Sequence, residues 1–274
     1  MSKLYLVGTP IGNLEDMTLR AIKTLQEVSL IASEDTRHTG KLLQHFAINT
    51  PQISYHDHNR QFRLPTLLNH LQNGQDLALV TDAGMPGICD PGQDLVRACW
   101  QAGIEVVPIP GVTALITALV ASGLSTTNFI FEGFLPSKGK EQTERFHQWQ
   151  LETRTIIFYE APHRLVDTLL ALAAIVDNER RLVTGRELTK LHETFWSGTL
   201  AEAILYYQSQ TPKGEFVVLL EGKTEKAIVP TPEILKKELQ QLLEQGLSRS
   251  QASRQLAELT QLPRRHLYQL SLEL

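Results

Sequence analysis

The stretch that decides the fold is LALVTDAGMPGICDPG, residues 77–92, in which a short apolar run ends abruptly in a turn. Its last twelve residues contain three glycines and two prolines. Four apolar residues followed by such a turn are typical of a buried strand that ends in a loop. Because glycine lets other groups approach the backbone closely, the sequence predicts a ligand at this turn.

Two similar turns follow other strand-like runs. GTPIG (8–12) comes after KLYLV (3–7), and PIPGVTA (108–114) continues EVVPI (105–109). Helical patterns separate these runs, and such alternation favours a mainly parallel sheet with helices on both faces. Ligands bind at the carboxyl ends of the strands in such sheets. We therefore expect the three turns to share one edge and one ligand.

The alternation of strands and helices continues further along the chain, so the predicted fold class is α/β. Residues 1–116 are predicted to form an N-terminal α/β domain, and residues 117–223 a second α/β domain. Residues 223–232 are polar and contain proline, as linkers often do. Residues 224–274 are therefore predicted to be a linker and a short helical, helix-turn-helix-like C-terminal module. Further strands are predicted at 128–134, 155–160, 181–188 and 215–222.

The composition excludes several classes of protein. A net charge of −4 with 42% hydrophobic and 20% charged residues is typical of a globular protein, not of a polycation that coats nucleic acid. No apolar run approaches the roughly 20 residues of a membrane span, and the start of the chain has no targeting pattern. Cys89 and Cys99 form no CxxC motif, so we expect reduced thiols, no bound metal and a cytoplasmic location.

The turns are poorly suited to phosphate. GTPIG lacks the spacing of a phosphate-binding loop, and no lysine follows it. Pro86 and Pro91 each remove an N–H donor that an anion would need. These loops favour a ligand that is neutral or cationic near the backbone, such as a sulfonium, and they argue against nucleotide hydrolysis.

Eight sequence blocks occur in an order that resembles the tetrapyrrole-methylase superfamily over residues 3–223. More narrowly, they resemble its ribosomal RNA branch, the small-subunit rRNA (cytidine-2′-O)-methyltransferases, which also carry a helical tail. The blocks are GTPIGNLEDMTLRA (8–21), EDTR (34–37), TDAGMPGICDPG (81–92), PIPGVTA (108–114), EGFLP (132–136), FYEAPHR (158–164), GRELTKLHE (185–193) and GEFVVLLEG (214–222).

The resemblance implies a homodimer with S-adenosyl-L-methionine (AdoMet) bound in a cleft between two α/β domains. It also implies methylation of the ribose 2′-oxygen of a cytidine in the decoding region of 16S rRNA, on naked rRNA or on the assembled small subunit. Matching motif by motif, the residues expected to bind the cofactor are Gly8, Thr9, Pro10, Asp82, Ala83, Gly84, Met85, Thr113, Ala114 and Tyr159.

The transfer needs a group that accepts or stabilises the proton of the attacking hydroxyl. EDTR offers the densest set of candidates, although Asp35 could instead cap the following helix. His192 and Glu193 are further candidates. The catalytic candidates are Glu34, Asp35, Arg37, Glu160 and Lys190.

A split basic surface could hold the RNA backbone despite the negative total charge. His163 and Arg164 could contact RNA or face solvent. The tail from 245 to 268 has four arginines and one acidic residue, and could dock RNA or pack across a dimer interface. The RNA-binding candidates are His38, Lys41, Arg60, Arg63, Lys138, His163, Arg164, Arg249, Arg254, Arg264 and Arg265.

Two rival functions remain open at this point. One is methylation of a tetrapyrrole or another small molecule, against which EDTR, FYEAPHR and the basic tail argue. The other is a non-catalytic RNA-binding protein of ribosome assembly, against which the intact TDAGMPG and PGVTA loops argue.

Overall fold

The computed structural model describes residues 2–224, 231–260 and 262–274. The chain divides into two compact units, Met1–Lys223 and Thr224–Leu274. Most of the predicted linker (225–230 of 223–232) lies outside the described residues.

The first sheet is entirely parallel, as predicted, with the strand order β3-β2-β4-β1-β5. The central strand, β4, is the LALV run, and all four of its residues are buried. Pro108 lies in β5 at the edge of the sheet, where a missing N–H costs no ladder hydrogen bond. The strands are β1 (Lys3–Val7), β2 (Leu30–Ser33), β3 (Gln52–Ser54), β4 (Leu77–Val80) and β5 (Glu105–Ile109).

The second sheet is mixed, with the order β6-β7-β10-β8-β9. β6 and β7 are parallel, whereas β10 runs antiparallel to both of its neighbours and β9 runs antiparallel to β8. The sequence pattern does not predict β9. The strands are β6 (Phe129–Phe134), β7 (Thr155–Glu160), β8 (Arg181–Arg186), β9 (Thr194–Thr199) and β10 (Phe216–Leu220).

Helices cover both faces of each sheet. In the first sheet, α1 and α2 pack on one face, while α3 and α4 pack on the other. In the second sheet, α6, α7 and α8 share a core on one face, and α5 packs on the opposite face. The helices of this unit are α1 (Leu19–Glu27), α2 (Thr36–His45), α3 (Arg60–Gln72), α4 (Gln93–Gln101), α5 (Ala114–Ser122), α6 (Lys140–Trp149), α7 (Leu165–Ala173) and α8 (Leu200–Gln208), and a short 3-10 helix spans Leu14–Asp16.

The domain boundary predicted after residue 116 falls inside α5. Leu115 and Leu119 of this helix pack against the second sheet, on Val183 and Val217 among others. The whole of α5 therefore belongs with the second sheet, although its first residues continue a loop of the first. A helical repeat shows which face of a helix is apolar, but not which sheet that face covers.

The C-terminal unit is a bundle of α9 (Pro232–Glu244), α10 (Arg249–Thr260) and α11 (Arg264–Leu272) around its own apolar core. Ser248 precedes α10, where its hydroxyl accepts a hydrogen bond from the backbone N–H of Gln251. The Gln251 side chain accepts in return from the N–H of Ser248, which completes a capping box.

Candidate functional site

The three glycine-containing turns meet at the carboxyl edge of the first sheet. Thr9 and Gly84 exchange two backbone hydrogen bonds, of 2.9 and 3.1 Å. Gly8 and Gly111 lie backbone to backbone, so that a Cβ atom built on Gly8 would be 2.8 Å from the Cα atom of Gly111. The expectation that these turns share one edge is therefore correct.

A cavity of about 390 Å³ opens at this edge, within the range of roughly 300–1,000 Å³ that small-molecule sites occupy. The turns of the first sheet form one wall, and the ends of β7 and β10 form another. Its lining residues are Ile11, Glu34, Asp82, Ala83, Gly84, Met85, Ile88, Cys89, Asp90, Thr113, Ala114, Phe134, Tyr159, Glu160, Ala161, Pro162, Leu188, Glu215, Phe216 and Val217.

The lining is strongly one-sided in charge. Five carboxylate side chains line the cavity, whereas its lining contains no lysine, arginine or histidine among the described residues. An anionic wall disfavours phosphate and stabilises a cation by the same electrostatic attraction. The remaining lining is mostly apolar or backbone. The cavity thus suits a ligand that carries positive charge beside an apolar body.

Seven of the ten predicted cofactor residues line the cavity. Gly8, Thr9 and Pro10 are not among its lining residues. Thr9 is buried and its hydroxyl donates to the carbonyl oxygen of Thr81. Thr9 thus binds the neighbouring turn through Gly84 and Thr81, while Ile11, which was not predicted, lines the cavity. The seven are Asp82, Ala83, Gly84, Met85, Thr113, Ala114 and Tyr159.

Tyr159 presents a neutral hydroxyl. Burial raises the pKa of Tyr159 to about 12, and the Phe131 and Phe134 rings lie edge-on against it at 4.9 and 5.3 Å between centroids. The side chain therefore remains protonated at neutral pH.

The Glu34 and Asp82 carboxylates connect two neighbouring turns by hydrogen bonds to backbone N–H groups. Glu34 Oε2 accepts from the N–H of Asp82 at 3.3 Å, and Asp82 Oδ1 accepts from the N–H of Asp35 at 3.1 Å. Burial, followed by the charge of Asp82, raises the pKa of Glu34 above its usual range, although the backbone hydrogen bond from Asp82 opposes the shift. Glu34 therefore combines access to the cavity with a basicity higher than that of a free carboxylate.

Asp35 does not line the cavity. Its Oδ1 accepts from the backbone N–H of Arg37 at 2.8 Å, which caps α2, and the Arg37 guanidinium donates to both of its oxygens. The side-chain hydrogen bonds from Arg37 hold the pKa of Asp35 well below its usual range. Asp35 is therefore a helix cap and a weak base, and Arg37 is exposed outside the cavity with its guanidinium on this cap.

Glu160 lines the cavity, but its carboxylate is already occupied. Oε2 accepts from the Thr168 hydroxyl at 2.6 Å, and Oε1 accepts from the Ala161 N–H at 2.9 Å. Oε1 also lies 3.3 Å from Arg164 Nε, with the Glu160 side chain 1% exposed. These contacts are those of a structural anchor.

Lys190 also lies outside the lining. Its Nζ is 3.0 Å from Glu187 Oε1 and 2.6 Å from Glu215 Oε2. Partial burial lowers the pKa of Lys190, but the hydrogen bonds to Glu215 and Glu187 outweigh it, so that the pKa is raised. A lysine that stays charged cannot accept a proton. The further candidates His192 and Glu193 are exposed on the same loop.

The structure adds a residue that the sequence did not single out. Asp90 lines the cavity, and burial, with the charge of Glu34, raises the pKa of Asp90 to about 7. In the sequence Asp90 is one more polar residue of a turn, preceding Pro91. Perturbed carboxylates cluster at functional sites, and only the three-dimensional proximity of Glu34 reveals this one.

The predicted RNA-binding residues differ in their exposure and in whether their charged groups are already paired within the protein. The Arg164 guanidinium donates to the carbonyl oxygens of Leu135 and Pro136, in addition to its contact with Glu160. Arg60 is paired with Asp57 and Asp94, and Lys138 with Asp167. The exposed ones in the first unit are His38, Lys41, Lys138 and His163.

The tail arginines are exposed but largely tied within their own bundle. Arg249 donates to the carbonyl oxygen of Ser271, Arg254 pairs with Glu258, and Arg264 donates to the Ser250 hydroxyl. Arg265 is exposed and makes no side-chain hydrogen bond or ion pair with any residue that the structure describes. It is the tail arginine whose charge is least engaged.

Within the described ranges, no cluster of three or more histidine, cysteine or carboxylate side chains has the geometry to hold a metal ion. In the same ranges, no helix combines the length and apolarity needed to cross a membrane.

Comparison with known proteins gives consistent relationships. Residues 3–204 match the Tetrapyrrole (Corrin/Porphyrin) Methylases. The chain is 62% identical to Ribosomal RNA small subunit methyltransferase I of Synechocystis sp., over 100% of this chain and 99% of that protein. It is 46% identical to the protein of the same name from Escherichia coli O157:H7, over 99% of this chain and 95% of the relative.

Solved structures of the same fold are more distant in sequence. The uroporphyrin-III C-methyltransferase from Thermus thermophilus, complexed with S-adenosylhomocysteine, aligns with a TM-score of 0.56 at 18% identity, over 80% of this chain and 97% of that one. A cobalt precorrin-4 methyltransferase aligns with a TM-score of 0.59 at 15% identity, over 80% and 94%. These similarities show that the two-sheet architecture is that of the tetrapyrrole methylases.

Proposed function

The chain belongs to the tetrapyrrole (corrin/porphyrin) methylase family, and on that premise we propose that it transfers a methyl group from AdoMet to the ribose 2′-oxygen of a cytidine in the decoding region of 16S rRNA. It is a methyltransferase, and its full-length relatives are named as methyltransferases of small-subunit rRNA. The choice of the 2′-oxygen and of cytidine follows the resemblance of its motifs to the ribosomal branch.

The observation that carries the proposal is the carboxylate-lined cavity at the meeting point of the three turns. AdoMet, when bound, supplies an electrophilic methyl group on a positively charged sulfur, and its ammonium group is balanced by its own carboxylate, which leaves one net positive charge. A cavity with five carboxylates and an apolar remainder fits such a ligand. The close approach of Gly8 and Gly111 leaves the turns free of side chains where they meet.

The residues of the chain would hold the cofactor along both walls. Asp82 and the backbone of Ala83–Met85 would contact the methionine end, and Thr113 and Ala114 the adenosine end. Thr113 precedes α5 without using its side chain as a cap, so its hydroxyl is available to a ligand. Tyr159 would donate a hydrogen bond from its neutral hydroxyl. Orientation of the acceptor against this wall would supply a large part of the rate enhancement.

The C-terminal bundle is proposed to dock RNA. Its four arginines are exposed. Arginine contacts with phosphate groups supply affinity for RNA that does not depend on the base sequence. Exposed basic residues of the first unit, such as His38 and Lys41, would make RNA contacts of their own. Arg164, whose guanidinium is held by two carbonyl oxygens, is less suited to it than the sequence indicated.

We also propose that the protein acts as a homodimer in the cytoplasm. Ile116 and Val120 of α5 are 43% and 71% exposed, one helical turn apart, and such an apolar stripe gains from burial by a second copy. Both cysteines are free thiols, as is usual in a reducing compartment.

The test uses small ribosomal subunits that lack the modification, incubated with the purified full chain and AdoMet labelled in its methyl group. After digestion to nucleosides, label in 2′-O-methylcytidine would establish the reaction. Binding of AdoMet without transfer to subunits or naked rRNA would contradict it, and transfer to a tetrapyrrole instead would support the rival enzymatic function. Failure to bind AdoMet would favour a non-catalytic role in ribosome assembly.

Arg265→Ala is expected to weaken RNA binding for all sequences alike and to lower the slope of log K against log salt by about 1, because one phosphate contact is lost. The measurement is a titration of small-subunit rRNA at several salt concentrations. Lys236→Ala is the matched control, since Lys236 is held by Glu273 at 2.6 Å and should leave the slope unchanged. An unaltered slope in Arg265→Ala would argue that the tail does not dock RNA through this residue.

A further inference from the structure

The carboxylates of the cavity are not equivalent, and their contacts separate them. Glu34 and Asp82 accept backbone hydrogen bonds, and Glu160 is held by Thr168 and Arg164. Glu215 is paired with Lys190. Each of these four carboxylates already accepts a hydrogen bond or forms an ion pair within the protein.

Asp90 differs from the other four. Among the described residues, no backbone N–H donates a hydrogen bond to its carboxylate and no lysine, arginine or histidine forms an ion pair with it. The Thr81 hydroxyl beside it is buried and makes no hydrogen bond with any residue that the structure describes. A hydroxyl can donate a hydrogen bond to a carboxylate and can accept one from a protonated carboxyl group. A carboxylate without a fixed cation or amide donor is free to take up a proton and release it again.

The backbone around Asp90 is constrained. Cys89, immediately before it, has a φ of 64°, in the left-handed region that few side-chain-bearing residues adopt. Pro91, immediately after it, disfavours the helical region for Asp90 itself. Strain of this kind is found where a side chain must be held in one position at a functional site. The turn that contacts the cofactor thus also fixes the Asp90 carboxyl on the same cavity.

We infer that Asp90 is the catalytic base that accepts the proton of the attacking 2′-hydroxyl. This rests on the proposed function. In the step, the 2′-oxygen loses its proton to the Asp90 carboxylate and forms its bond to the methyl carbon as the carbon–sulfur bond breaks. The electron pair of that bond stays on sulfur, which becomes a neutral thioether. Asp90 then returns the proton to solvent.

The surroundings of Asp90 tune it for this task. The titratable groups that face it are Glu34 and Asp57 from other turns of the sheet, Asp82 and Cys89 from its own turn, and Tyr159 across the cavity. Burial, then the charge of Glu34, raises the pKa of Asp90 to about 7, while the Thr81 hydroxyl opposes the shift. A base is most effective when its pKa lies near the working pH.

The test compares Asp90→Asn with Glu34→Gln in the full-length protein, measuring single-turnover methylation of unmodified small subunits as a function of pH, together with AdoMet binding. In the wild type, the rate should rise with pH through about 7 and then level off. Asp90→Asn should bind AdoMet, lose about 10²–10⁴-fold in rate and lose this pH dependence. Glu34→Gln should keep a pH-dependent rate with its midpoint moved to lower pH, because the charge of Glu34 helps to raise the pKa of Asp90.

A second readout does not depend on catalysis. Because the pKa of Asp90 is raised in the folded protein, its contribution to stability is complete at low pH and is lost as the pH rises through about 7. Asp90→Asn should therefore melt at a higher temperature than the wild type at about pH 8, with the difference vanishing at low pH. A carboxylate that the fold stabilises in its charged form would give the opposite sign, because its pKa would be lowered on folding.

The outcomes separate the inference from the function on which it rests. If the wild type gives no 2′-O-methylcytidine, the acceptor is wrong and the role of Asp90 is overturned with it. If the wild type gives the product and Asp90→Asn keeps the rate and its pH dependence, only the role of Asp90 is overturned. That role is likewise overturned if Glu34→Gln alone removes the pH dependence.

Discussion

Glu160→Ala is expected to lower the free energy of unfolding by about 3–5 kcal/mol, since breaking a buried ion pair leaves its partner uncompensated. The Glu160 carboxylate is 1% exposed and bridges Thr168 on α7, the Ala161 N–H and the Arg164 guanidinium. Removing it leaves the Thr168 hydroxyl and the Ala161 N–H without this acceptor, and leaves the charge of Arg164 with carbonyl oxygens but no carboxylate. The measurement is a urea unfolding curve followed by circular dichroism.

Two further variants show whether the loss comes from the pair. Glu160→Gln keeps an acceptor for Thr168 and the shape of the side chain, so it should cost less than the alanine variant. In a double-mutant cycle, Arg164→Ala should be less harmful when Glu160 is already absent. If Glu160→Ala melts like the wild type but no longer transfers methyl groups, Glu160 acts in the chemistry and the structural interpretation is wrong.

The sequence predicts the strands of the first sheet because each is a short apolar run with a turn behind it. LALV became the central strand β4, and the three glycine turns met at one edge, as parallel topology requires. The sequence does not predict β9 because apolar and polar residues do not alternate regularly in TFWSGT. The strand lies at the edge of the sheet, and half of its residues are exposed. An edge strand has no second neighbour to bury it, so its apolar signal is weak.

The sequence likewise identifies some residues of the candidate site and misses others. Residues next to glycine turns could be identified because their place at the strand ends follows from the topology. Asp90 could not, since its raised pKa arises from burial and from Glu34, which lies 56 positions away in the sequence. Asp35 and Lys190 are catalytic candidates in the sequence because each is a charged residue in a motif. Their ion pairs are visible only in the structure, where Asp35 contacts Arg37. Lys190 contacts Glu187 and Glu215.

Gly8→Ala is expected to weaken AdoMet binding by about tenfold to a hundredfold. A Cβ atom at this position would lie 2.7 Å from Met85 Sδ, 2.8 Å from Gly111 Cα and 2.9 Å from Gly111 N. Two of these three are backbone atoms and cannot rotate away, so the turns must separate. Overpacking of this kind costs about 1–3 kcal/mol, and each 1.4 kcal/mol is a tenfold change in affinity. Isothermal titration calorimetry with AdoMet gives the dissociation constant.

Gly40→Ala is the matched control for this substitution. Gly40 lies in α2, and the nearest atom to a Cβ built there is Gln52 Nε2 at 3.7 Å, an ordinary contact. Since alanine favours a helix over glycine by about 1 kcal/mol, the control should be as stable as the wild type or more so, with unchanged AdoMet affinity. If Gly8→Ala also bound AdoMet like the wild type and kept its melting temperature, the two turns would not be in the close contact on which the shape of the cavity depends. Weak binding in Gly8→Ala alone would show that the affinity for AdoMet depends on the spacing between the turns that follow β1 and β5, and not only on the stability of the sheet.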